Sequence, residues 1–100
     1  MKIISYNING IRAAIKKKFI NWLEDINPDI ICLQEIKATP QQFDSKQFES
    51  IGYQCFWYPA EKKGYSGVAI LSQKKPEKLI YGCGEKRIDD EGRVLIAKYK

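Results

Sequence analysis

Asn7 and Glu35 are the residues whose types and settings most directly suggest chemistry. Asn7-Ile8-Asn9-Gly10-Ile11-Arg12-Ala13 follows one short apolar run, and Leu33-Gln34-Glu35-Ile36-Lys37 closes another. A carboxylate at a strand end in a crevice suits a hard divalent cation such as Mg²⁺, which takes one or two protein carboxylates and fills its other positions with phosphate oxygens and water. Gly10 permits a tight turn into a helix, where free backbone N–H groups would face an anion. Each segment also has a plainer use. Asn7 or Asn9 can cap the helix, and a strand-end glutamate is commonly a surface charge.

The flanking pattern says how these residues would meet. Ile3-Ile4-Ser5-Tyr6 reads as a buried strand ending at Asn7. Ile11, Ile15, Phe19, Leu23 and Ile26 recur at helical spacing on one face, and Asn27-Pro28 stops that helix. Ile30-Ile31-Cys32-Leu33 is an uninterrupted apolar run, the mark of a strand covered on both faces. Strand, helix and strand form a βαβ unit, whose two strands should be parallel. Ligand sites of open α/β sheets lie beyond the carboxyl ends of parallel strands, so Asn7 and Glu35 should share one crevice.

Thr39 to Gly52 is polar, with Phe43, Phe48 and Ile51 as anchors for a short helix or an irregular loop. Beyond it, Tyr53 to Pro59, Val68 to Ser72, Leu79 to Tyr81 and Arg93 to Tyr99 read as strands of a largely antiparallel half. Asp89-Asp90-Glu91-Gly92 marks the turn before the last of them. That strand reaches Lys100 without a cap or polar tail, so the expectation is a chain cut from a larger domain.

Composition is that of a globular domain: 100 residues, 44% hydrophobic, 12% aromatic. No apolar run approaches the roughly 20 residues that span a bilayer, and Met1-Lys2-Ile3-Ile4-Ser5-Tyr6 lacks the long apolar stretch and small-residue cleavage site of a signal peptide, so a cytoplasmic protein without a membrane partner is expected. Cys32, Cys55 and Cys83 are odd in number and widely spaced, and the chain has no histidine, which argues against a disulfide framework and a zinc site. The formal charge of +5 suits a polyanionic partner and equally an ordinary solvated surface. Lys16-Lys17-Lys18 is open to the same two readings, and Gly64-Tyr65-Ser66-Gly67 would also serve as a plain hairpin turn.

Read together and in order, Asn7 to Ala13, Leu33 to Lys37, Gly64 to Ala69 and Asp90 to Val94 resemble the opening of the exonuclease III and apurinic/apyrimidinic (AP) endonuclease family, within the endonuclease/exonuclease/phosphatase superfamily. The resemblance runs from Lys2 to about Tyr99. It implies the amino-terminal part of a four-layer α/β sandwich, with residues 1–100 forming an incomplete single domain. It further implies a Mg²⁺-dependent hydrolase, with Mn²⁺ as a substitute. Such an enzyme acts as a monomer on double-stranded DNA in base excision repair, cutting 5′ to abasic sites with associated 3′–5′ exonuclease activity. By the same resemblance, Glu35 binds the metal and Asn7 shares the catalytic site, helping to hold the metal or its acidic neighbours. Lys37 steadies the acidic cluster and the phosphate. Arg12, Ala13 and Lys17 grip successive DNA phosphates, Ala13 through its backbone N–H, and Tyr65 presses on the DNA backbone from the opposing strand, Gly64 letting the main chain approach. Asn9 stands where some relatives carry Asp. The family pattern also uses a later Tyr, an Asp-Leu-Asn motif and an Asp-His pair that these 100 residues lack, so the chain alone is expected to be inactive. Two alternatives stand beside this reading: a non-catalytic basic nucleic-acid-binding module, and a superfamily phosphoesterase acting on inositol phosphate or phospholipid.

Overall fold

The computed structural model describes residues 1–100. β1 (Ile3–Asn7) and β2 (Ile30–Gln34) pair in parallel, with Asn7 opposite Gln34, as the βαβ reading requires. β4 (Val68–Ser72) runs antiparallel to β2, and β3 (Gln54–Tyr58) antiparallel to β4, giving the strand order β1-β2-β4-β3. β2 is therefore an inner strand, and Ile30, Ile31 and Leu33 are all buried. Burial on both faces explains why its apolar run is unbroken. β5 (Lys78–Tyr81) and β6 (Leu95–Lys98) form a separate antiparallel ribbon.

The helix expected over Ile11 to Ile26 is in fact two, α1 (Ile11–Lys16) and α2 (Phe19–Ile26). The backbone N–H of Lys17 is shared between the carbonyls of Ala13 and Ala14, and that of Lys18 donates to Ile15 at 3.1 Å, so the last turn of α1 tightens. Lys18 then takes a left-handed conformation, φ 66°, which a straight helix cannot accommodate. Restarting at Phe19 buries Phe19 and Leu23 beside Ile11 and leaves Lys16, Lys17 and Lys18 in solvent. Asn27, also left-handed, ends α2 before Pro28.

The helices cover one face of the sheet, where Ile31, Leu33, Ala69 and Leu71 meet Ile8, Ile11, Phe19, Leu23 and Phe48. Phe48 comes from α3 (Lys46–Glu49), in the polar segment that offered only three anchors in sequence. Its ring lies 5.7 Å from Trp57, 6.2 Å from Phe19 and 6.5 Å from Phe43 between centroids, and it is fully buried. A short 3₁₀ turn (Pro40–Gln42), opened by a Thr39–Gln42 capping box, leads into this cluster.

Ser72 alternates with Leu71 and so faces away from the helices, where its hydroxyl accepts from the Tyr99 hydroxyl at 2.8 Å. With the edge-on Tyr58–Tyr81 pair, this contact seats the ribbon on the second face. The turn expected at Asp89 to Gly92 is partly taken up by a short helix, α4 (Lys86–Asp89), and the strand expected from Arg93 begins at Leu95. The reason is Asp89, whose carboxylate accepts the Cys83 and Gly84 backbone N–H groups at 2.9 and 3.0 Å and ties the helix to the loop before it. All three cysteines are free, and burial pushes the Cys55 thiol up to about 12, making it unreactive. No helix is long and apolar enough to cross a membrane.

If Phe48 is the hub of the aromatic cluster, Phe48→Ala should cost about 3–5 kcal/mol of stability. Urea denaturation followed by circular dichroism measures this; a loss below about 1 kcal/mol would show that the cluster does not hold the helical layer to the sheet.

Candidate active site

Beyond the last ladder pairs of β1 and β2 the two chains stay joined. The Ile8, Gly10 and Ile11 N–H groups donate to the carbonyls of Gln34, Glu35 and Ile36 at 3.0, 2.8 and 3.0 Å. From the other side, the Ile36 and Lys37 N–H groups donate to the carbonyls of Gly67 and Ser66 at 3.1 and 2.8 Å. The Glu35-Ile36-Lys37 turn is thus gripped between two backbones. Ile36 is fully buried and anchors it. Glu35 and Lys37 both hold φ 54°, and Asn9 across from them φ 46°. Such conformations cost about 1–3 kcal/mol at a residue other than glycine, and they persist only where the surroundings enforce them.

The side chains of these residues close into one hydrogen-bonded cluster. Asn7 Nδ2 donates to Glu35 Oε2, and Asn7 Oδ1 accepts the Asn9 backbone N–H at 3.0 Å. Lys37 Nζ donates to Asn9 Oδ1 at 2.7 Å and lies 3.6 Å from Glu35 Oε1. Arg12, at the start of α1, reaches over with Nη2 3.4 Å from the Lys37 carbonyl. The Asn7 hydrogen bond, opposed by partial burial and aided by the charge of Lys37, lowers the Glu35 carboxyl below its ordinary value. Glu35 is therefore a carboxylate at neutral pH, and its side chain is 39% exposed.

Other residues anticipated for the site lie around this cluster. Ala13 and Lys17 line a groove of about 460 Å³ that begins at Asn9 and Gly10. Gly64 and Tyr65 sit on the loop that continues into Ser66 and Gly67, the second jaw of the clamp. Arg93, given no role on sequence grounds, donates from Nη2 to the Tyr65 hydroxyl at 3.1 Å and from Nε to Glu91 at 2.9 Å. Its charge also acts on Glu35. Lys62 lies 5.3 Å from the Tyr65 ring centroid, a second cation on the same ring. The sequence signal for Arg93 was its place in the Asp90-Glu91-Gly92-Arg93 segment. Gly92 is what lets that segment dock, because a Cβ there would stand 2.7 Å from the Tyr58 carbonyl oxygen and the Ala60 nitrogen.

The donor set decides what could bind. No three His, Cys, Asp or Glu side chains converge, so these residues build no closed zinc-type cage. A single ionised, accessible carboxylate fits a cation that keeps most of its water, as Mg²⁺ does. Glu35 would be its ligand, and Asn7, with its amide N–H turned to Oε2, fixes the carboxylate.

Gly67 offers a direct test of the clamp. A Cβ there would lie 2.8 Å from Ile36 Cγ1 and 3.3 Å from Pro59 Cα, at φ 86°. Gly67→Ala should cost about 1–3 kcal/mol and shift the amide resonances of residues 35–37; an unchanged melting temperature and spectrum would remove the clamp from the account. Asn7→Ala should raise the Glu35 carboxyl toward its ordinary 4.5. A depressed carboxyl stabilises the fold above its unfolded-state value and loses that contribution as pH falls through the folded value, so the variant should show a shallower stability loss in acid. Carboxyl ¹³C titration checks this, and an unmoved Glu35 would contradict it.

The fold recurs in solved structures. The profile of the endonuclease/exonuclease/phosphatase family matches residues 4–99. An exodeoxyribonuclease of Bacillus subtilis is 43% identical over the whole chain, and a DNA-(apurinic or apyrimidinic site) endonuclease of Dictyostelium discoideum is 38% identical over 99% of it. This chain spans 39% and 27% of their respective lengths. An AP endonuclease from Archaeoglobus fulgidus superposes with a TM-score of 0.85 at 36% identity, over 99% of this chain and 37% of that one. The 3′ phosphatase NExo from Neisseria, bound to a product DNA hairpin, superposes at 0.83 with 33% identity, over 97% and 37%. A clamped asparagine–glutamate pair at the tips of parallel strands, in a mixed α/β fold of this topology, thus accompanies a family match over nearly every residue: the chain belongs to the endonuclease/exonuclease/phosphatase family, beside its exonuclease III and AP endonuclease members.

Proposed function

We propose that the protein carrying this chain is a Mg²⁺-dependent DNA-repair phosphodiesterase that cuts the backbone 5′ to abasic sites in double-stranded DNA, with 3′–5′ exonuclease activity at the same centre. Mn²⁺ would substitute for Mg²⁺. In this reading residues 1–100 are the amino-terminal part of one catalytic domain, inactive by themselves, and the whole protein works as a cytoplasmic monomer in base excision repair. The observation that carries the proposal is the contact between Asn7 and Glu35, with Lys37 and Asn9 completing the cluster. The relatives named for exodeoxyribonuclease and AP-site endonuclease activity support it.

Glu35 would hold the metal ion, which supplies charge neutralisation at the phosphodiester when bound. Asn7 keeps the carboxylate in one orientation, so that little reorganisation accompanies the reaction. Lys37, within reach of both Glu35 and Asn9, places an ammonium beside the phosphate without displacing the acidic ligand. Arg12, the Ala13 N–H and Lys17 would hold successive phosphates along the strand. Such contacts fix position and carry no sequence information, which suits an enzyme whose target is damage in any context. Tyr65, held by Arg93, would bear on the backbone of the opposing strand.

In the full-length protein, Glu35→Gln should lower Mg²⁺-dependent cleavage of a duplex with one abasic site by about 10²–10³-fold, with DNA binding retained. Asn7→Ala, acting through Glu35, should weaken the Mg²⁺ requirement's half-point by about 10–100-fold. Cleavage of inositol phosphates but not abasic DNA would move the protein to another branch of the family. DNA binding with no cleavage at any metal concentration would make it a non-catalytic module.

A further inference from the structure

The groove beside the cluster has a lining that the phosphate contacts leave unexplained. Tyr6, Phe19 and Trp22 form its wall, with ring centroids 5.8–6.3 Å apart. Tyr6 and Trp22 remain 44% and 40% exposed. Large aromatic side chains buried among themselves would serve the core; these two present ring surface to the groove instead. Lys17 and Lys18, both in solvent, line the same groove, as do Gly10 and Asn9, the latter bonded to Lys37.

The cause is the break between α1 and α2. The left-handed Lys18 turns the chain so that Phe19 drops into the core, while Trp22, one helical turn on, is carried along its rim. Tyr6 precedes Asn7 on β1, and side chains of a strand alternate, so Tyr6 faces the helices as Asn7 faces the site. Asn9 belongs to both places: its side chain takes the Lys37 ammonium, and it also lines the groove.

Exposed rings and cations lining one groove of about 460 Å³ match an unpaired nucleotide: a base to lie against the rings and a phosphate to meet the ammonium groups. We infer that this groove binds the base of an unpaired nucleotide against Tyr6 and Trp22, with its phosphate on Lys17 and Lys18, next to the strand held at Glu35. The inference rests on the nucleic-acid reading of the site and adds a base-recognising subsite to it. A π-face is common to every base, so the subsite would be indifferent to sequence.

Two ten-residue single strands separate the contributions in the full-length protein: oligothymidylate, and a strand of abasic tetrahydrofuran residues with the same phosphates. The base-bearing strand should bind about tenfold or more tightly, within the range of stacking on one or two aromatic side chains. Trp22→Leu, which keeps an apolar side chain, should remove most of that difference, Trp22→Phe should retain it, and Lys17→Ala should weaken both strands alike. Equal affinity for the two strands, or a preference untouched by Trp22→Leu and Tyr6→Leu, overturns the subsite. Exclusion of Trp22 from the quencher acrylamide would overturn it too, because the groove would then be filled by protein. Cleavage of abasic duplex in the same preparation shows whether the wider reading stands when the subsite fails.

Discussion

The grip on Glu35-Ile36-Lys37 from two sides is the constraint on which the site depends. Parallel strands deliver Asn7 and Gln34 to the same level, but delivery alone would leave the following residues free to turn either way. Hydrogen bonds from Gly10 and Ile11 on one side, and to Ser66 and Gly67 on the other, remove that freedom. With Ile36 buried between them, Glu35 and Lys37 are both turned outward and held in a backbone conformation that neither side chain prefers. Strain of this kind is sustained by the surrounding fold, and here it fixes a carboxylate and an ammonium before any ligand arrives.

The electrostatics follow from that placement. Within the cluster one ionised carboxylate is met by a neutral amide and an ammonium, and further cations stand around it on α1 and at Arg93. An accessible anion in a cationic rim can hold a hydrated divalent ion and still attract a phosphodiester, which a cluster of bare carboxylates would repel. Tyr65 and Arg93 extend the rim across the second loop, so the charge is arranged along a path. The phosphodiester strand of the proposed reading would follow such a path.

Much of this was legible in the sequence because it depends on short-range pattern. Apolar runs fixed β1 and β2, their connection implied a parallel pair, and Asn7 and Glu35 then had to be neighbours. What pattern could not show is what the third dimension decides. The single amphipathic stripe from Ile11 to Ile26 concealed a break, since a left-handed Lys18 preserves the inward positions on either side of it. Phe48 was one of three anchors in a polar segment, and the pattern did not show that Phe19, Phe43 and Trp57 all pack on it. Arg93 and Gly67 act on Tyr65 and Ile36 across 28 or more residues of chain; their roles come from an N–H accepted, a methyl excluded and a tyrosine held.

Paramagnetic broadening by Mn²⁺ tests the central claim most directly. Titrating the ion into isotopically labelled protein should first broaden the amide and side-chain resonances of Asn7, Asn9, Glu35 and Lys37, and Glu35→Gln should abolish that pattern. Broadening centred elsewhere, or a pattern at these residues that survives Glu35→Gln, would contradict the account.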